Sequence, residues 1–135
     1  MRSIFTALLF CFASISFAQA PDPHPIDTWL QQALEKEYTT AGMRAAINKA
    51  NGMWDKEMNQ TYTRLLTRLD KERQASLKEA QRAWLKFRDS EGKVIAGIVS
   101  AKEGTMWQLT ASNDSMELVR TRALQLKSYE DALEE

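Results

Sequence analysis

The pattern of apolar and polar positions divides the chain into an apolar leader and four amphipathic stretches. Ile4 to Phe17 is an apolar run with no charge behind the single cation Arg2, and Ala18-Gln19-Ala20 is the small-x-small pattern a signal peptidase cuts. The run is too short for a spanning helix, which needs about 20 apolar residues. Residues 1–20 therefore read as a signal peptide and 21–135 as one domain. That places the mature protein in the periplasm or secreted, with no membrane attachment after cleavage. Cys11 reads as one more apolar residue of the leader rather than a lipidation site, and Pro21, Pro23 and Pro25 predict an extended mature N-terminus.

Beyond the leader the apolar residues recur at spacings of three and four, the period of a helix face. Asp27 is placed to cap a short helix over Thr28 to Glu37, with Trp29, Ala33 and Leu34 on one side. A second helix, capped by Thr40, is predicted from Ala41 to Leu69. Its stripe is Met43, Ala46, Ile47, Ala50, Trp54, Met58, Tyr62, Leu65 and Leu69. Asp70 caps a third that reaches about Val99, with a strict three-four alternation through Leu77, Ala80, Trp84, Phe87, Glu91, Val94 and Ile98. Residues 100–113 read as one long loop. Asp114-Ser115-Met116-Glu117 resembles a capping box opening a last helix, whose stripe is Met116, Val119, Ala123, Leu126 and Leu133. The fold class is thus all-α: a long antiparallel helical hairpin covered by a short N-terminal helix and a C-terminal helix. A hairpin turn near residue 70 sets Met58 and Asn59 opposite residues 80–82, Tyr62 opposite Leu77, and Trp54 opposite Trp84 and Leu85. The Glu91-interrupted seam of the third helix is also open to pairing with a second copy.

Composition narrows the chemistry. Basic and acidic residues balance at 18 each over the whole chain, and removal of the leader takes away only Arg2. Nothing in that balance attracts nucleic acid or anionic lipid. His24 is the only histidine, no thiol survives cleavage, and no glycine-rich phosphate loop occurs. No metal site, cofactor or catalytic set is expected, and the chain does not read as an enzyme. Most acidic residues neighbour Lys or Arg, as on solvated helix faces.

Two segments differ: Asp55-Lys-Glu-Met58-Asn59-Gln-Thr-Tyr62, and Ala80-Gln81-Arg82-Ala-Trp84-Leu-Lys-Phe87-Arg88-Asp89. In the hairpin they face each other. They place Asn59, Tyr62, Gln81, Arg82, Trp84, Arg88 and Asp89 either in a network that fixes register or on a recognition surface for a protein. Met106 and Trp107, in the expected loop, are candidates for an exposed tip that contacts a partner, or for a plug over the open end of the hairpin.

These segments resemble the LprI-type family of small exported proteins, named for a lysozyme inhibitor. The resemblance runs from about Thr39 to Leu126 and is most specific over Ala80 to Asp89. It implies a protein partner, a lysozyme-type or other cell-wall hydrolase; an immunity-type protein that neutralises a periplasmic toxin is the alternative reading. A structural envelope module is the remaining reading. Family members usually carry cysteines, and this chain has none of them. The resemblance implies that one lost bridge joined the two long helices at the positions of Ala46 and Gly92.

Overall fold

The computed structural model describes residues 23–134, so the signal-peptide reading falls outside the described residues. Four helices follow one another: α1 (Pro25–Leu34), α2 (Thr40–Arg68), α3 (Lys71–Ser100) and α4 (Thr105–Asp131). The chain is all-α, as its periodicity predicts.

The starts of the helices follow side-chain chemistry. Thr39 and Asp70 accept from the backbone N–H of Gly42 and Arg73, which satisfies one orphan donor at the start of α2 and of α3. α2 continues through Asn51-Gly52 without a break. α1 begins three residues earlier than expected, because its cap is His24 and not Asp27. The imidazole Nδ1 accepts from Ile26 N at 3.2 Å, and Pro25 takes the first helical position, where a missing N–H costs nothing.

The last helix departs furthest from expectation. The connection after α3 is only Ala101 to Gly104, and Thr105–Asn113 is helical. Gly104 has φ +97°, a left-handed turn that suits glycine. The polar run Thr110-Ala-Ser-Asn-Asp-Ser115 has the composition of a loop, but hydroxyls return bonds to the preceding turn. Thr110 donates to the Met106 carbonyl and Ser115 to the Ala111 carbonyl at 2.8 Å. Asp114 and Ser115 therefore sit inside α4 rather than at its start.

α2 and α4 run parallel, as shown by the pairing of Arg44 with Gln108 near one end and of Arg64 with Glu130 near the other. They form the main packed pair of the molecule. Ala50 and Ala123 are almost fully buried, and such small side chains let the two backbones approach closely. Around them pack Ile47, Trp54, Met58, Leu65, Met116, Val119 and Leu126. α1 runs antiparallel to both and inserts Ile26 and Leu30 from one side. α3 descends on the other side and contributes only Leu77 and Gln81 to the buried set. Its contact with α2 keeps the expected register, with Gln81 against Met58 and Leu77 sharing an apolar groove with Leu65 and Leu69.

Two expectations about the seam are corrected. Trp54 does not face Trp84. Its ring lies between the His24 ring, 4.3 Å away between centroids, and the Arg120 guanidinium, 5.6 Å away. Phe87, Val94 and Ile98 are not core, being 51%, 52% and 56% exposed. α3 turns a more polar face inward, through Gln74, Leu77, Gln81 and Arg88, about one residue out of phase with its apolar stripe.

Candidate functional site

Because α3 meets α2 and α4 mainly through its first three turns, the three helices diverge beyond Trp84 and leave an open cleft of about 850 Å³. α2 lines it with Asn48, Asn51, Gly52 and Asp55, and α3 with Arg88, Asp89, Gly92 and Lys93. Ser115, Leu118 and Val119 of α4 form the remaining wall. Neither Gly52 nor Gly92 has any atom within 4 Å of where a Cβ would lie. The pairing of positions 46 and 92 implied by the family resemblance is therefore not poised here. A disulfide needs Cβ atoms about 3.8 Å apart, whereas Ala46 is turned into the core and a Cβ at 92 would point into open space.

The two motif segments meet at the inner end of this cleft. Asn59 donates through Nδ2 to the Asp55 carbonyl at 2.8 Å and to its carboxylate at 3.1 Å. Arg88 Nη1 lies 4.0 Å from the Asp55 carboxylate, while its Nε and Nη2 donate to Asp89 at 3.3 and 3.0 Å. The same guanidinium lies over the Trp84 ring, 5.5 Å from its centroid. Of the residues expected to act together, the structure gathers Asn59, Trp84, Arg88 and Asp89 around Asp55. Tyr62 packs against the core instead, and Arg82 is exposed.

Beneath the cleft lies a layer that sequence reasoning missed. Arg122 is buried. It donates through Nε to Gln81 Oε1 at 2.9 Å and through Nη1 to Gln125 Oε1 at 2.5 Å, while its Nη2 is buried with no partner among the described residues. Burial pushes the guanidinium below the usual arginine value. Gln81 completes the layer by donating to the Met58 sulfur at 3.7 Å. Only the coincidence of Gln81 and Arg122 on facing helices exposes this arrangement, and a linear pattern does not carry it.

At the opposite end of the charge scale, Arg120 makes a two-pronged bond to Asp27, 2.9 and 2.8 Å, and fastens α1 to α4. Those bonds raise the affinity of Arg120 for its proton. The sequence offered Asp27 only as a cap. Its partner lies 93 residues away, too far for any local signal.

Met106 and Trp107 lie on the first turn of α4, next to the tight turn that joins α3 to α4. They are 64% and 42% exposed, so they project rather than plug the hairpin. Lys102, in the turn itself, holds its ammonium 5.2 Å from the Trp107 ring centroid. Among the described residues no cluster of three or more His, Cys, Asp or Glu is placed to hold a metal ion, and no helix is long and apolar enough to cross a membrane.

The described residues thus form a small all-α, four-helix domain with an open polar cleft and a projecting aromatic turn. More particularly, residues 31–126 match the family model described as lysozyme inhibitor LprI, and the chain belongs to that family. No curated protein matches the chain. Among solved structures, it is similar to the crystal structure of an uncharacterised protein from Burkholderia thailandensis, with a TM-score of 0.79 and 27% identity. The similarity covers 84% of this chain and 56% of that one, so the chain spans little more than half the length of this neighbour.

Proposed function

We propose that this chain is an exported inhibitor of a lysozyme-type cell-wall hydrolase and not itself an enzyme. The family match over residues 31–126 carries this reading. The geometry adds a contact surface, the turn between α3 and α4. A glycoside hydrolase cleft presents two carboxylates beside the scissile bond. Its partner surface needs a cation and an apolar body held rigidly together. Lys102 over Trp107, with Met106 beside them, is such a combination. Four connecting residues between two long helices keep it preorganised, which lowers the entropic cost of binding.

The test uses residues 21–135 against c-type and g-type lysozymes acting on cell walls. Inhibition is expected at micromolar protein, with a loss of at least tenfold in Trp107→Ala and a smaller loss in Lys102→Ala. Arg88→Ala should inhibit normally. Absence of inhibition and of binding overturns the reading, whereas loss confined to Arg88→Ala moves the contact surface from the turn to the cleft.

One observation favours a second reading. The near-balanced charge supplies little long-range attraction to a strongly basic hydrolase. An immunity-type protein that neutralises a periplasmic toxin of moderate charge fits that balance better, and a toxin gene beside this one would support it.

A further inference from the structure

The balanced net charge conceals a local imbalance. α1 and α4 enclose an open groove of about 460 Å³, and the charged residues that line it, Asp27, Glu35 and Glu117, are all acidic. Its floor is apolar, built from Leu30, Leu34 and Met116. Arg120, the cation bonded into this rim, is engaged by Asp27 at 2.8 and 2.9 Å and lies 3.5 Å from Glu117. Three carboxylates against one guanidinium leave the groove negative.

Glu35 is out of place for the helix that carries it. It is the C-cap of α1, the negative end of the helix dipole, where a cation is favoured, and the last turn of α1 holds no basic residue. Its carboxylate accepts from Gln31 Nε2 at 3.2 Å. Lys36 follows it but is not part of the groove wall. A glutamate at this position adds its charge to the negative end of α1 and deepens the potential of the groove.

The groove's own chemistry defines its occupant. An apolar floor beneath a carboxylate rim fits a side chain with an apolar stem and a cationic head. A neutral apolar group would bury the rim carboxylates without a partner, which is costly. The groove is also continuous with the turn between α3 and α4. At 100° per residue, Thr110, Asn113 and Glu117 of α4 fall within about 40° of the direction of Met106. Asn113 and Glu117 line the groove, so groove and turn share one stripe of α4.

We propose that this groove receives a lysine or arginine side chain from the surface of the protein partner whose cleft meets the Lys102–Trp107 turn. The identity of the partner rests on the hydrolase reading, and the chemistry of the groove does not. A cation at the turn and carboxylates in the groove make one contact surface with two charged ends. It is complementary to a protein with carboxylates inside its cleft and cations around it. The separation supplies a local attraction that the total charge does not.

The experiment uses residues 21–135, which hold the whole core, and the variant Glu35→Gln/Glu117→Gln, which leaves Asp27 and Arg120 joined. With a basic c-type lysozyme at low ionic strength, the variant should associate about fivefold more slowly than wild type and lose most of its salt dependence. Trp107→Ala should instead mainly speed dissociation. Equal association rates and equal salt dependence in wild type and double variant overturn the proposal. Glu35→Gln alone should unfold no earlier than wild type, and a clear loss of stability would give Glu35 a structural role and overturn it as well. A wild type that binds no hydrolase defeats the hydrolase reading, and the groove is then decided by N-acetyl-lysine methylamide at millimolar concentration. Methyl resonances of Leu30, Leu34 and Met116 should shift in wild type and not in the double variant. No shift in wild type, or an equal shift with the uncharged norleucine analogue, overturns the proposal.

Discussion

The inner and outer ends of the molecule use the same kinds of side chain to opposite effect. Around Trp54, the apolar residues of α1, α2 and α4 exclude water almost entirely, and Trp54 itself is 0% exposed. In the outer part of α3, Phe87, Val94 and Ile98 repeat as regularly and remain half in solvent. Local pattern is therefore not what separates core from surface here. The difference is the number of helices that arrive. Three converge at Trp54, whereas α3 meets the α2–α4 pair edge-on and then diverges from it. Helical periodicity guarantees that a stripe exists, and tertiary packing decides whether anything covers it.

Several substitutions can break or sharpen this contrast. The largest effect is expected from Trp54→Ala, which should cost about 3–5 kcal/mol in urea denaturation, since it removes the ring on which His24 and Arg120 both rest. Leu126→Ala should cost about 2–5 kcal/mol. Ile98→Ala should stay within about 0.5 kcal/mol. Equal losses at Leu126 and Ile98 would mean that outer α3 is packed and would erase the distinction.

Polar fasteners should rank below these. Arg120→Ala removes both bonds to Asp27 and should cost about 1.5–3 kcal/mol, with hydrogen exchange rising first in α1. Glu130 accepts from Arg64 Nε at 2.7 Å and from its Nη2 at 3.0 Å, and these bonds hold its carboxyl below the usual carboxylate range. Its contribution is complete above the unfolded carboxylate value of about 4.3 and is lost as pH falls through the lower folded value. Glu130→Gln should therefore lower stability near neutrality by about 1–2 kcal/mol and flatten the fall in stability on acidification. An unchanged acid limb would show that the pair contributes nothing net. Smallest in energy, yet direct, is hydrogen exchange. Amides from about Arg88 to Ser100 should exchange faster than those of α2, because a helix without packing is only marginally stable over lengths below about 12–15 residues.

The sequence displayed a good part of this architecture. Four amphipathic segments, the Asp70 cap and the approximate register of α3 against α2 are all legible in spacing, and the motif residues Asp55, Asn59, Trp84, Arg88 and Asp89 do converge. The failures share one cause. Thr110 to Asn113 looked like the end of a loop because hydroxyl and amide side chains compete with helix bonds, yet the Thr110 and Ser115 hydroxyls bond back within a continuous helix whose other face packs. His24 looked like part of an extended tail, because its role depends on a tryptophan 30 residues away. Arg122 stood out only as part of Arg122-x-x-x-Leu126, which fits the weaker C-terminal part of the family resemblance; its role was not legible, because that role lies in meeting Gln81.

What the sequence determined by itself is the set of helices and their apolar stripes. Those follow from backbone geometry and side-chain spacing, which are local. Only the tertiary structure decided that α2 and α4 form the central pair, that α3 stands off to open a polar cleft, and that its regular stripe faces solvent. Those outcomes depend on how closely whole helices can approach one another. Ala50 and Ala123 permit that approach between α2 and α4, whereas Gln81 and the buried Arg122 fill the space between α3 and its neighbours with groups that must be hydrogen-bonded rather than simply packed.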